Sequence, residues 1–223
     1  MTRFLKRTIK SICFVLMGVI SLILGLYVGN ISSSYASSNR ATGFYRSDFV
    51  QGIAVTGPAQ FATHQSYLSN TYSNSTSTNW KSVTQNSKVE FIHTHGASGL
   101  FTLTSSTNIT GNMVQSMSFS DMPKLIYISA CQTGNSSTTY GNVGQALANK
   151  GADAVVAFKT NISASTNYNG IHKFNAKVAT KLAFNGYTLT YSITTALNEV
   201  YAEDGQHWGA NSYIIYGDSF ISF

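Results

Sequence analysis

The chain has 223 residues, with 14 Lys+Arg against 8 Asp+Glu, a formal charge of +6, two cysteines, and 43% hydrophobic and 13% aromatic residues. Two cysteines staple almost nothing in this length, which excludes a disulfide-built scaffold, and the apolar content can build a core, which argues against a disordered tail. The length suits one domain with a small addition, and the charge raises nucleic-acid binding until its distribution is read.

Arg3, Lys6, Arg7 and Lys10 precede an apolar run from Ile12 to Val28, which is followed by the small-x-small pattern Ser34-Tyr35-Ala36. That order predicts a secretory signal peptide over 1–36, with an uncleaved anchor as the alternative because the run approaches the ~20 residues that span a bilayer. Removing it takes away four of the 14 basic residues and leaves 10 against 8, so no basic stripe remains to hold nucleic acid. Cys13 leaves too. A single cysteine, Cys131, remains in a chain expected to be secreted, or membrane-anchored with an extracytoplasmic domain. It is either a free reactive thiol, a partner for intermolecular pairing, or a buried inert side chain.

Residues 37–57 show no clear period and are expected to form an N-terminal arm, with the main domain over 58–223. Pro58 to Tyr72 has helical spacing with Pro58 in its first turn. A polar Ser/Thr/Asn loop follows. Val89 to Gly96 is a short strand ending at a glycine, and Leu100–Thr104 with Thr107–Thr110 reads as a hairpin around Ser105-Ser106. KLIYISA (124–130) and AVVAF (154–158) are apolar runs of strand length, as expected of strands buried on both faces of a parallel sheet. Asn142–Lys150 is a helix stopped by Gly151. Tyr168–Phe184 and Leu189–Tyr201 are helices, and Tyr213–Tyr216 is a last strand. Strands alternating with helices predict an α/β fold, a three-layer sandwich with a mostly parallel central sheet flanked by helices.

Two candidate reactive residues sit at strand ends, where ligands bind in such sheets. His95 closes one strand and Cys131 another. A thiolate needs a base within hydrogen-bond reach, and imidazole has the fitting pKa. The backbone N–H groups of Gly96 and Cys131 are candidates for an oxyanion hole, and Gly134 for the sharp turn that exposes the thiol.

FIHTHG (91–96) and LIYISACQTG (125–134), an apolar strand ending in His-Gly and then one ending in Ala-Cys, resemble the caspase–haemoglobinase superfamily of cysteine peptidases. The Ala-Cys-x-Thr-Gly form is most similar to the bacterial CHAT, clostripain-like and gingipain-like members. GQALANKGADAVVAF (144–158) and HWGANSYIIYGD (207–218) resemble the segments that follow the nucleophile. The resemblance spans roughly 58–218. It implies a caspase-like fold and a secreted cysteine endopeptidase with His95 and Cys131 as dyad. It also implies an oxyanion hole at Gly96 and Cys131 and a protein or peptide substrate bordered by Phe158, Lys159, Thr160 and Asn161. No cofactor is implied, and calcium ligands are too sparse to define a site. Asp48, Asp153 and Asp218 are the acidic candidates, none assignable to a specificity pocket. Other readings stay open. His93-x-His95 is half of a metal site that lacks a short-spaced second pair, and His93 is better read as a support beneath His95. Cys131 has no Cys-x-x-Cys partner for redox chemistry. A non-catalytic exported binding or signalling module of the same fold is the alternative to an enzyme.

Overall fold

The computed structural model describes residues 39–49, 51–163, 170–184 and 187–223; the expected signal segment lies outside them. In chain order the elements are β1 (Arg40–Tyr45), α1 (Ile53–Gln65), β2 (Leu68–Ser73), α2 (Ser77–Thr84), β3 (Val89–His93), β4 (Gly96–Ala97), β5 (Leu100–Thr102), β6 (Asn108–Thr110), α3 (Gly111–Ser116), β7 (Leu125–Ser129), α4 (Val143–Asn149), β8 (Ala154–Phe158), α5 (Ile171–Ala183), α6 (Leu189–Asp204), a 3-10 turn (Ala210–Ser212) and β9 (Tyr213–Gly217). The main sheet runs β2-β1-β3-β7-β8-β9, with all pairs parallel except β8–β9; β4, β5 and β6 form a small antiparallel sheet. This is the caspase-like sandwich that the sequence predicts.

The three central strands explain the layering. Every residue of β3, β7 and β8 is buried, so both faces of each must be covered. Val89, Phe91, Leu125, Tyr127, Val156 and Phe158 face one core with side chains of α1, α5 and α6. Ile92, Ile126, Ile128 and Val155 face the other with α2, α3 and α4. On α5 the buried Ile171, Phe174, Val178 and Leu182 recur at helical spacing. Lys173, Lys177 and Lys181 on its outer side pair with Glu199, Glu203 and Asp204 of α6. Side-chain caps begin four of the helices, with Thr76, Thr110, Asn142 and Thr188 each accepting from the backbone three residues on.

Residues expected as an arm supply β1, which lies between β2 and β3 in the sheet. The helix expected from Pro58 to Tyr72 starts five residues earlier and yields to β2 at Leu68. Pro58 sits inside α1, where its missing N–H cannot serve the carbonyl of Ala54. That carbonyl faces β1 instead, only 1.6 Å from where a Cβ on Gly43 would stand. The proline and the glycine together let helix and strand touch backbone to backbone.

One buried carboxyl stands in the core on the α2 side. Glu90 is fully buried and accepts from the indole Nε1 of Trp80 at 2.8 Å. Burial pushes its pKa from 4.5 up to about 7, against the opposing pull of hydrogen bonds from Thr84 and Trp80. The unfolded chain releases this proton near 4.5 and the folded chain near 7. Stability from this group is therefore complete below 4.5 and is lost as pH rises through about 7. A shift of that size corresponds to about 3 kcal/mol. Glu90→Gln keeps the acceptor for Trp80 and removes the titration, so thermal melts should show a smaller drop in Tm between pH 5 and pH 8 (about these values) than in the parent chain.

Candidate active site

The parallel pairing of β3 with β7 sets the geometry. His93 stands opposite Ser129, the last pair of the ladder, and the backbone N–H of Thr94 donates to the Ser129 carbonyl at 3.3 Å. His95 and Cys131 each follow two residues later, in the loops at the carboxyl ends of these adjacent strands. Both residues continue the parity of the core on the α1/α5/α6 side: Cys131 packs against that core, and His95 meets the ring of Phe49, which also meets His93. His95 is exposed and Cys131 half-buried. Its thiol points toward the carbonyl of Ile162 at 3.7 Å.

Gly96 is pinned against the cysteine loop. A Cβ at Gly96 would lie 2.6 Å from the Cys131 carbonyl oxygen and 2.9 Å from the Ala130 Cβ. Gly96 pairs with Phe101, and the bond from Thr102 N–H to the His95 carbonyl at 3.0 Å makes this the non-hydrogen-bonded kind of antiparallel pair. The Gly96 N–H is therefore not spent on β5. The sharp turn after Cys131 is carried by Gln132, with φ 56, rather than by Gly134. Gly134 instead permits close approach to β9: a Cβ there would lie 2.6 Å from the Ile214 side chain.

The segment after β8 borders the same loop. Phe158 is buried, while Lys159, Thr160 and Asn161 are exposed. Their backbone is already engaged on both sides. Gly134 N–H and Gln132 N–H donate to the Phe158 and Thr160 carbonyls at 2.8 and 3.1 Å, and Lys159 N–H donates to Ser212 at 3.0 Å. The edge of this segment is thus occupied by the chain itself, and only the side chains of 159–161 face outward.

Beneath His95 lies a buried polar chain. The Tyr127 hydroxyl donates to Asn175 Oδ1 at 2.9 Å, Asn175 Nδ2 donates to Ser129 Oγ at 2.7 Å, and Ser129 Oγ bonds His93 Nδ1 at 2.9 Å. His172 packs edge-on to His93, with ring centroids 4.9 Å apart. His93 is a packed, buried residue bonded to Ser129. Asn175 and His172 were not legible as such, although two polar residues three apart at inward positions of an otherwise apolar helix face were the available signal. Gly52, at φ 46, passes so close that a Cβ would lie 2.8 Å from His93 and 2.9 Å from His172. On the other flank Arg46 holds Asp48 in a two-pronged ion pair and reaches Thr102 Oγ1 at 3.3 Å. The Arg46 guanidinium keeps the Asp48 carboxyl below its usual range, and His95 adds a smaller pull in the same direction. Arg46, Ser47 and Asp48 line an open polar depression of about 320 Å³ with Asn74, Thr104 and Ser105.

Burial, helped by the neighbouring His172, pushes His93 from 6.5 down to about 3, more than its bond to Ser129 raises it. The unfolded chain takes up this proton near 6.5 and the folded chain near 3, so stability falls as pH drops through that interval. Between 4.5 and 6.5 it offsets the Glu90 trend; below 4.5 it acts in the same direction as the carboxyls of Asp48, Glu199, Glu203 and Asp204, which their basic partners hold below the usual range. Acid titration should accordingly show stability falling steeply only below about pH 4.5, followed by circular dichroism. Gly96→Ala should cost about 1–3 kcal/mol in urea unfolding, because the Cys131 backbone must move.

Residues 60–210, more than half of the chain, match the CHAT domain family. No protein among the curated ones matches the chain. Among solved structures, the complex of the Porphyromonas gingivalis RgpB pro- and mature domains superposes with a TM-score of 0.64 at 12% identity, over 82% of this chain and 48% of that one. The Arg-specific cysteine proteinase gingipain R (RgpB) gives 0.64 at 10% identity, over 84% and 48%. The Saccharomyces cerevisiae separase–securin complex gives 0.50 at 11% identity, over 81% and 12%. This chain spans about half the length of the gingipain chains, and the likeness at these identities is one of fold. The match over 60–210 covers more than half of the chain, and the chain belongs to the CHAT domain family.

Proposed function

We propose that the protein is a cysteine endopeptidase in which Cys131 is the nucleophile and His95 the general base. The observation that supports this reading is the β3–β7 pairing, since an exposed imidazole and a half-buried thiol follow the carboxyl ends of two adjacent parallel strands. In this reading His95 takes the thiol proton, the thiolate attacks the scissile carbonyl, and the imidazolium returns the proton to the leaving amine. A water activated by the same imidazole then hydrolyses the acyl-enzyme. The N–H groups of Gly96 and Cys131 hold the oxyanion. Gly96 suits this because its N–H is free of β5 and its missing Cβ lets the Cys131 backbone approach.

The substrate is an extended peptide lying over the loops that carry His95 and Cys131. With the backbone of 158–160 already bonded, Lys159, Thr160 and Asn161 would border it through side chains. The depression at Arg46 and Asp48 is formed by the loop after β1, whose Phe49 meets His95. There the carboxylate is the exposed partner, at 55% against 15% for the arginine. A basic P1 side chain is therefore favoured, as for the Arg-specific cysteine proteinase gingipain R. The domain acts outside the cytoplasm, secreted or held at the membrane by its N-terminal segment.

Iodoacetamide should label Cys131, Cys131→Ala should remove that label and all hydrolysis, and a peptide library varied at P1 should be cut after Lys or Arg. His95→Ala should lower kcat by about 10²–10⁴. A thiol that does not react, together with no cleavage of any library member, leaves the non-catalytic binding module as the reading.

A further inference from the structure

The two ends of the main sheet differ in what they expose. The strand ends that carry His95 and Cys131 form one. At the other the chain enters at Asn39, whose carbonyl accepts from Leu68 N–H at 2.9 Å. Among the described residues seven large apolar side chains are exposed, and five of them lie at this entry end. Leu68 begins β2 and is 54% exposed; Phe220, at 72%, lies beside the start of α6, where Leu189 and Thr190 bond Ile221 and Ser219. Phe184, Tyr187 and Tyr191 form a contiguous row between the end of α5 and the first turn of α6. Ring centroids are 6.2 and 5.0 Å apart along the row, and His64 extends it at 4.5 Å from Phe184. Tyr187 and Tyr191, apolar with a polar tip, fit the headgroup level of a bilayer, and Leu68, Phe184 and Phe220 are wholly apolar side chains that can enter just beneath it.

Chain length supplies the second observation. Ten residues, 29–38, separate the apolar run ending at Val28 from Asn39. Fully extended they reach roughly 35 Å. A retained apolar segment therefore keeps Asn39 within a short reach of the bilayer surface.

We propose that residues 12–28 stay in the membrane and that the domain rests on the bilayer–water interface through Leu68, Phe184, Tyr187, Tyr191 and Phe220, with the His95/Cys131 end turned away from the lipid. Insertion of these side chains, rather than attraction to anionic headgroups, is the binding term. Acidic Asp121, Asp153 and Asp218 stand among basic Arg40, Lys88, Lys124 and Lys150 at this end and nearly cancel them. The surface acts independently of the peptidase reading.

The test uses the full chain in phosphatidylcholine vesicles with and without brominated acyl chains. Tyr187→Trp and Phe220→Trp place a fluorophore at the entry end, and Ser105→Trp places one on the exposed β5–β6 turn at the other end. The parent chain, with Trp80 buried in the core and Trp208 half-buried, gives the background. The added emission at 187 and 220 should fall by about half on bromination, as for a residue at headgroup depth, while that at 105 is unchanged. Adding anionic lipid should leave these values where they are. Equal quenching at both ends, or none at 187 and 220, overturns the proposal. So does recovery of the chain cleaved near residue 36, or concentration-dependent self-association abolished by Tyr187→Ser without lipid quenching.

Discussion

His93 opposite Ser129 is the pairing on which the site depends. A parallel ladder fixes both strand ends together, and a slip of one residue would turn every side chain of β3 or β7 to the wrong face. That slip is resisted by the helices on both faces. Phe91 and Tyr127 on one side, and Ile92 and Ile128 on the other, are fully buried, and each is worth about 1.5–3 kcal/mol in transfer from water. The energy that holds the ends of β3 and β7 in register is thus spent in apolar contacts within the strands, several residues before His95 and Cys131.

Each face of the sheet also carries buried polar groups. Glu90 with Trp80 sits on the α2 side, and Tyr127, Asn175, Ser129 and His93 form a chain on the α5 side. Such groups are costly to bury, and each has at least one partner inside the protein, although Glu90 Oε2 and His93 Nε2 have none. The hydrogen bonds are directional where apolar packing is not, so the chain from Tyr127 to His93 ties α5 to β7 and β3 in one register. Its end lies under Phe49, whose ring edge meets both His93 and His95. The imidazole at the surface is supported through an aromatic contact by a buried, uncharged one.

The ends of the sheet divide the labour. Loops after β1, β3, β7 and β8 gather polar and titratable side chains around His95 and Cys131, whereas the other end gathers exposed aromatic rings around the point of chain entry. Helices α1 and α5 return the chain from the first end to the second, so their C-termini contribute to the aromatic row and α5 sends His172 and Asn175 to the buried support. The alternation of strand and helix thus produces two chemically different ends from one topology.

Much of this was legible in the sequence. β7 and β8 are unbroken apolar runs, and such runs can only be strands covered on both sides; the hairpin around Ser105-Ser106 and the helix stopped at Gly151 form where local spacing places them. His-Gly and Ala-Cys marked their residues because they end apolar strands. β1 was not legible, since RATGFY has no period and becomes a strand only because β2 and β3 pair with it. β2 was hidden inside a helical pattern because its side chains are mostly exposed and its pairing with β1 outweighs local preference. The turn at Gln132, the closed edge at 158–160 and the support from Asn175 and His172 were equally invisible. Sequence by itself determined which strands are central and which residues stand at their ends, because burial on both faces demands apolar runs. Only the tertiary structure decided which ends adjoin and what lies beneath them, because those contacts join segments from 36 to 82 residues apart, beyond the reach of any local pattern.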